Sequence, residues 1–422
     1  MSCQRLATTL LMSAVLLGTP SAAKAQLKAA PGDWPGWRGP DRTDVSTETG
    51  LLQEWPAGGP KLVWKATGLG GGFTTPSIAG GRIYLMGSKG REEYVMALDA
   101  KDGKHLWSTK VGAVGLNRGP QNPGPRSTPI VDGDFVYTLG SDGDLVCVTR
   151  AKGKTVWHKH LVQDFGGKPG NWAYAESPLI DGDVLVCTPG GSSATLVALD
   201  KKTAELIWKA QVPGRNAAGY ASAIVAQVGG VKQYIQFLAG GVVGISAKDG
   251  KFLWSYNKTA GRGTVCSTPI FHDQCVFTAS GYNVGGGLVK LTADGNDVAA
   301  EEVYFTKAMV NHHGGIVLVD GYLYGTNNAT LLCLDFKTGK TKWQDRSVGK
   351  GSLTYADGRL YVRGERGGVA LVEATPDGYK EKGRFNPPNR SSKPAWPHPV
   401  VAGGRMYLRD GDVLLCYDVK AN

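Results

Sequence analysis

The chain has 422 residues, of which 61 are Gly and 22 are Pro, and 41% are hydrophobic. That mixture has neither a collagen-like period nor the low hydrophobicity of a disordered chain, so it points to many short strands joined by tight turns. The net charge is +11, and no run of five like charges occurs, which gives nucleic-acid binding little support.

Residues 1–25 read as a secretory signal peptide. Arg5 supplies a positive start, Leu6 to Leu17 is apolar, and Ala23-Lys24-Ala25 is a small-x-small cleavage site. Cleavage near Ala25 predicts a periplasmic or secreted protein. Losing Arg5 and Lys24 reduces the net charge to +9, a mild excess that favours anionic partners. No later segment is apolar for long enough to span a bilayer. Residues 26–60 are an N-terminal extension without a predicted element.

From residue 61 a phrase recurs. Its clearest copies are Ala97-Leu98-Asp99 running to Trp107, Ala198-Leu199-Asp200 running to Trp208, and Cys333-Leu334-Asp335 running to Trp343. Trp64, Trp157 and Trp254 close similar phrases, and Tyr304 and Phe385 fill two degenerate positions. The closing aromatics are 39 to 51 residues apart, the period of propeller blades.

One repeat shows why. Thr128-Pro129-Ile130-Val131 is a short strand, Asp132-Gly133-Asp134 a turn, Phe135 to Leu139 a second strand, and Leu145 to Val148 a third. Lys152-Gly153-Lys154 then turns into Thr155-Val156-Trp157. Such a four-stranded antiparallel meander must bury both faces, and radial stacking does this.

Eight inner strands start near Thr75, Thr128, Ser177, Ser222, Thr268, Ile316, Leu353 and Pro399, but only seven closing aromatics follow them. Lys61-Leu62-Val63-Trp64 is available for the eighth. The predicted fold is therefore all-β: one eight-bladed propeller over residues 61–422, its ring closed by an N-terminal strand.

The phrase resembles the repeat of PQQ-type (pyrroloquinoline quinone; quinoprotein-dehydrogenase-like) β-propellers. That family includes dehydrogenases that hold PQQ and calcium. It also includes the cofactor-free propeller of the outer-membrane β-barrel assembly machinery. The resemblance implies that Trp64, Trp107, Trp157, Trp208, Trp254 and Trp343 dock one blade on the next.

Six cysteines follow the leader. Cys147, Cys333 and Cys416 share the repeat position of Ala97, Ala198 and Gly244, so free buried thiols are expected. No CxxC or CxxCH occurs, nor the vicinal pair that resembles part of many PQQ pockets.

Function is expected at the mouth of the axial channel, where the long connections 108–126, 158–175 and 386–398 converge. The predicted ligand-binding residues are Arg118, Arg126, Trp172, Glu176, Arg262, His312, His313 and His398. Glu176 stands out because Thr74, Ser127, Ala221, Ser267, Gly315 and Ser352 open other inner strands. It reads either as a ligand handle beside Arg126 or as a structural ion pair. Adjacent histidines make a poor bidentate metal motif, so no metal site is expected. Spacing fixes no Ser/His/Asp set, paired carboxylates or metal cluster. The leading expectation is a monomeric, cofactor-free binding or scaffold module of the cell envelope, with a protein or polymer partner. The alternative is a PQQ-dependent oxidoreductase.

Overall fold

The computed structural model describes residues 27, 29–116, 122–214, 216–261 and 265–421; the predicted leader, Arg118 and Arg262 lie outside them. Among the described residues the strands form eight sheets, each built on four antiparallel strands. Blade 2 is representative, with Ile130–Asp132, Phe135–Leu139, Asp144–Thr149 and Thr155–His160 paired in that order. Its first turn carries Gly133 at φ +57°, a left-handed value that suits glycine. All eight inner strands begin within two residues of the positions read from the sequence. The one α-helix among the described residues, Leu161–Phe165, interrupts the connection from blade 2 to blade 3. Among the described residues no helix is long and apolar enough to cross a membrane.

The N-terminal strand closes the ring. Lys61–Ala66 pairs antiparallel with Val413–Asp418 and becomes the outer strand of blade 8. Just before it, Gly59 (φ +90°) lies against the ring of Phe385 in blade 7, where an added Cβ would fall 2.4 Å from a ring carbon.

Neighbouring blades are tied by the closing aromatics. The indole N–H of Trp64, Trp107, Trp157 and Trp208 donates to the backbone oxygens of Ala100, Arg150, Lys201 and Ala247 in the next blade. Trp343 does the same to Thr375, and the Tyr304 hydroxyl to Phe336. Trp254 differs: its N–H turns back to Gln233 of its own blade at 2.6 Å. Trp208 is 9% exposed and packs in the cluster joining blades 3 and 4. Trp208→Ala is expected to cost about 3–5 kcal/mol, as for other large buried aromatics. Denaturant unfolding checks this, and a loss below roughly 1 kcal/mol would remove the docking role.

The axial channel is filled by a plug that the extension supplies. Residues 34–48 thread it and touch the inner strand, or its lead-in, of every blade. Trp34 pairs with Ile78 of blade 1, and the Pro35 carbonyl accepts from Val131 N of blade 2. Arg42 donates to the carbonyls of Ser177 and Pro178 in blade 3 and of Ala223 in blade 4. Trp37 Nε1 donates to Thr268 Oγ1 of blade 5, and Arg38 to the Ile316 carbonyl of blade 6. Val45–Ser46 adds a parallel fifth strand to Gly351–Ala356 of blade 7. The Ser46 hydroxyl donates to the Val401 carbonyl of blade 8. Inner-strand carbonyls facing a channel need donors, and two buried arginines supply them.

Cys147, Cys187, Cys266, Cys275, Cys333 and Cys416 are all unpaired. Burial pushes the Cys147, Cys266 and Cys416 thiols up to about 12, which leaves them poorly reactive. Thiol titration of the unfolded, unreduced protein lacking residues 1–25 is expected to find all six. Two or fewer would mean a disulfide framework.

Candidate ligand-binding mouth

At one end of the axis lies a cavity of about 400 Å³. Blade-to-blade connections and the turns between second and third strands build it. Its floor is Trp37 of the plug, whose ring lies 4.5 Å from that of His398. One wall holds Phe73, Trp172 and Trp396. Trp396 packs against Phe73 at 4.5 Å and 39°, and edge-on against Trp172 at 6.0 Å and 82°. Tyr220, Tyr282 and His312 form another side, with Tyr282 set 4.9 Å from His312 at 78°.

The charges are unequal. Among the described lining residues Arg126, Lys350 and Arg366 are basic and Glu365 is acidic. Burial would raise Glu365. Its bonds to His313 (3.4 Å), Lys350 (2.7 Å) and the Trp396 indole N–H (2.9 Å) outweigh that and hold it well below the usual carboxylate range. Burial lowers both His312 and His313, so these rings are neutral at pH 7. Glu365 neutralises Lys350, which leaves Arg126 and Arg366 as a positive excess.

Arg126 is held without a carboxylate partner among the described residues. Its guanidinium donates to the Asn122 and Gly124 carbonyls and lies 5.4 Å above the Phe73 ring and 5.9 Å from that of Trp396. Burial lowers it to about 10, with the charge of Glu93 opposing the shift, so it remains a cation at neutral pH.

Of the residues predicted for the mouth, Arg126, Trp172, His312 and His313 line the cavity. Two do not. His398 is 1% exposed and sits under the floor, bonded to Asp44 of the plug at 2.9 Å and to the His313 carbonyl at 3.0 Å. Glu176 is 3% exposed and points between blades 3 and 4. Its carboxylate accepts from Thr188 N, from Thr188 Oγ1 at 2.7 Å and from Gln236 Nε2 at 2.8 Å. The cation whose charge acts on it is Arg42, not Arg126. The residue at the strand start turns its side chain into the blade interface, where two polar neighbours satisfy it.

Burial raises Glu176 to about 7, against the opposing pull of Thr188, Arg42 and Gln236. A raised acid gives stability that is full below the unfolded value and is lost as pH rises to the folded one. Glu176→Gln is therefore expected to gain in melting temperature relative to the parent between pH 5 and pH 7. Scanning calorimetry at several pH values tests this; a constant difference would show that Glu176 does not titrate there.

Sequence reading missed Trp37, Phe73, Tyr220, Tyr282, Glu365, Arg366 and the plug. It also missed Asp142, Asp144 and His160, whose ligand-type atoms lie within 4.8 Å of one another away from the cavity. His160 Nδ1 accepts from Val162 N and Gln163 N and so caps the short helix. Its Nε2 lies 3.7 Å from an Asp142 carboxylate oxygen.

Comparison with known proteins gives a consistent picture. A family model described as outer membrane protein assembly factor BamB matches residues 25–120 and 91–345. The chain is 25% identical over 352 residues to outer membrane protein assembly factor BamB of Burkholderia pseudomallei, covering 78% of this chain and 81% of that one. It is 29% identical over 182 residues to serine/threonine-protein kinase AfsK of Streptomyces griseus, covering 42% of this chain. It spans only 21% of that kinase's length. The quinohemoprotein alcohol dehydrogenase of Comamonas testosteroni superposes with a TM-score of 0.61 at 14% identity, covering 93% of this chain and 81% of that one; this likeness is one of fold.

Proposed function

Because the chain belongs to the PQQ-type propeller family described as outer membrane protein assembly factor BamB, we propose that it is an exported envelope module that binds a protein or polymer at its mouth. The observation that carries this is the cavity itself: aromatic walls, a few convergent polar groups and a floor sealed by the plug. Export rests on the pattern of residues 1–25.

The fold relatives that oxidise alcohols raise the question of PQQ. Aromatic walls and cations would suit a flat, carboxylated quinone. Its calcium would need several carboxylate or amide ligands. Among the described lining residues only Glu365 and Asn122 are of those types, and Glu365 is already bonded to Lys350, His313 and Trp396. The residues present do not fit a calcium-bound quinone.

The test is retention of envelope components by the immobilised mature protein, compared with a Trp172→Ala/Trp396→Ala variant of unchanged fold. The variant is expected to lose a component that the parent holds. Equal retention would remove the mouth from the reading. Dye-linked alcohol oxidation after addition of PQQ and calcium would overturn the binding-only reading.

A further inference from the structure

We propose that the mouth cavity is a subsite for an acidic sugar unit, a pyranose ring bearing a carboxylate, within an envelope polysaccharide. This rests on the mouth being the binding site and adds the class of ligand it takes.

Ring geometry is the first argument. The wall rings meet at 39°, 78° and 82°. They form a cup with faces on several sides, not two parallel plates. A planar ring system gains most between parallel faces. A pyranose is puckered and carries C–H groups on both faces, so it can rest against rings of different tilt.

Charge is the second. The described lining residues carry three bases and one acid, and that acid is paired with Lys350. Arg126 stands over the faces of Phe73 and Trp396, bonded only to neutral carbonyls among the described residues. A ligand carboxylate would complete it with a charge-assisted bond, beside the aromatic surface on which the sugar ring would rest.

Hydroxyl recognition is the third. The Tyr220 oxygen accepts from Trp172 N at 3.1 Å, which leaves its own O–H to donate into the cavity. Thr75 and Ser222 also line it; their oxygens accept from His398 N and Ser177 N, which leaves each O–H to donate. A space of about 400 Å³ has room for one sugar unit and part of the next. Tyr282, 58% exposed, stands at the rim where the rest of a polymer would leave.

Tryptophan fluorescence and calorimetry with a galacturonate trimer, and with its neutral methyl ester, test this. The acid trimer is expected to bind saturably and to weaken between low and high salt. The ester should bind about tenfold or more weakly, the loss expected for one charge-assisted bond. Arg126→Gln should remove most of that preference by weakening the acid far more than the ester. Because Arg126 is largely buried, the exposed Arg366→Gln serves as a second variant, with a smaller loss for the acid alone. Equal binding of acid and ester, or no response to either, overturns the proposal. If both sugars fail while the Trp172→Ala/Trp396→Ala variant still loses an envelope component, the ligand class is wrong and the mouth reading stands.

Discussion

Removing residues 31–48, with Lys61–Ala66 left in place, is expected to lower the melting temperature by roughly 10 °C, from ~5 kcal/mol lost at ~2 °C per kcal/mol. The plug touches all eight blades, and its arginines supply donors to carbonyls that face the channel. Its backbone is not relaxed: Arg38, Arg42 and Asp44 hold φ of 57° to 63°, a region costly for non-glycine residues. The ring must over-determine that conformation, so the contacts outweigh the strain. Water entering the emptied channel would recover part of the loss. Arg42→Leu avoids that recovery because the channel stays filled. Three buried carbonyls then lose their donor, at about 1–3 kcal/mol each. Against this, burying the guanidinium is itself unfavourable; burial lowers it to about 9, with the charge of Glu176 opposing. The net expectation is a loss of about 3 kcal/mol. Thermal and denaturant unfolding of both variants measure it. A melting temperature within 2 °C of the parent for the deletion would show that the segment only occupies space, taking ~1 kcal/mol as the threshold.

The blades were legible because their signals are local and repeated. The turn before several closing strands sets a glycine against the previous blade's aromatic, Gly103 on Trp64, Gly250 on Trp208 and Gly339 on Tyr304. Gly153 shows the constraint, since a Cβ there would fall 2.4 Å from Trp107. The latch was legible by counting, because eight inner strands met seven closing aromatics. The plug was not legible. It has no repeat, and its arginines bond backbone carbonyls, which leave no trace in sequence. The density of Trp, Gly, Pro and Arg from Trp34 to Arg42 was the one signal. At the mouth, attention to the long connections recovered Arg126 and Trp172. It missed Tyr282, Glu365 and Arg366, which sit in short turns between second and third strands on the same face. Glu176 was legible as an oddity but not as a buried one, because the direction of a side chain at a strand start depends on the neighbouring blade.

Replacing Lys61–Ala66 by a Gly/Ser stretch of equal length is expected to convert the protein to soluble oligomers or aggregate, while the plug deletion stays monomeric. The two devices act differently. The plug fills an interior, so its loss bares only edges that face the channel, such as that of Gly351–Ala356 where Val45–Ser46 pairs. The latch covers Val413–Asp418, whose register with Lys61–Ala66 runs from Lys61 opposite Asp418 to Ala66 opposite Leu414. Without it, blade 8 ends in an unpaired edge that carries Leu414, Leu415 and Tyr417 and is buried in the parent. Trp64 would also be lost from the seam with blade 1, where it bonds Ala100 and packs near Tyr407. Exposed backbone donors and acceptors on a flat strand recruit another strand, and the nearest source is a second copy of the same edge. Size-exclusion chromatography with light scattering separates the outcomes. A monomer that melts like the parent would mean that the ring closes without the N-terminal strand. Oligomers from both variants would mean that the inner edge covered by the plug is also open to another chain.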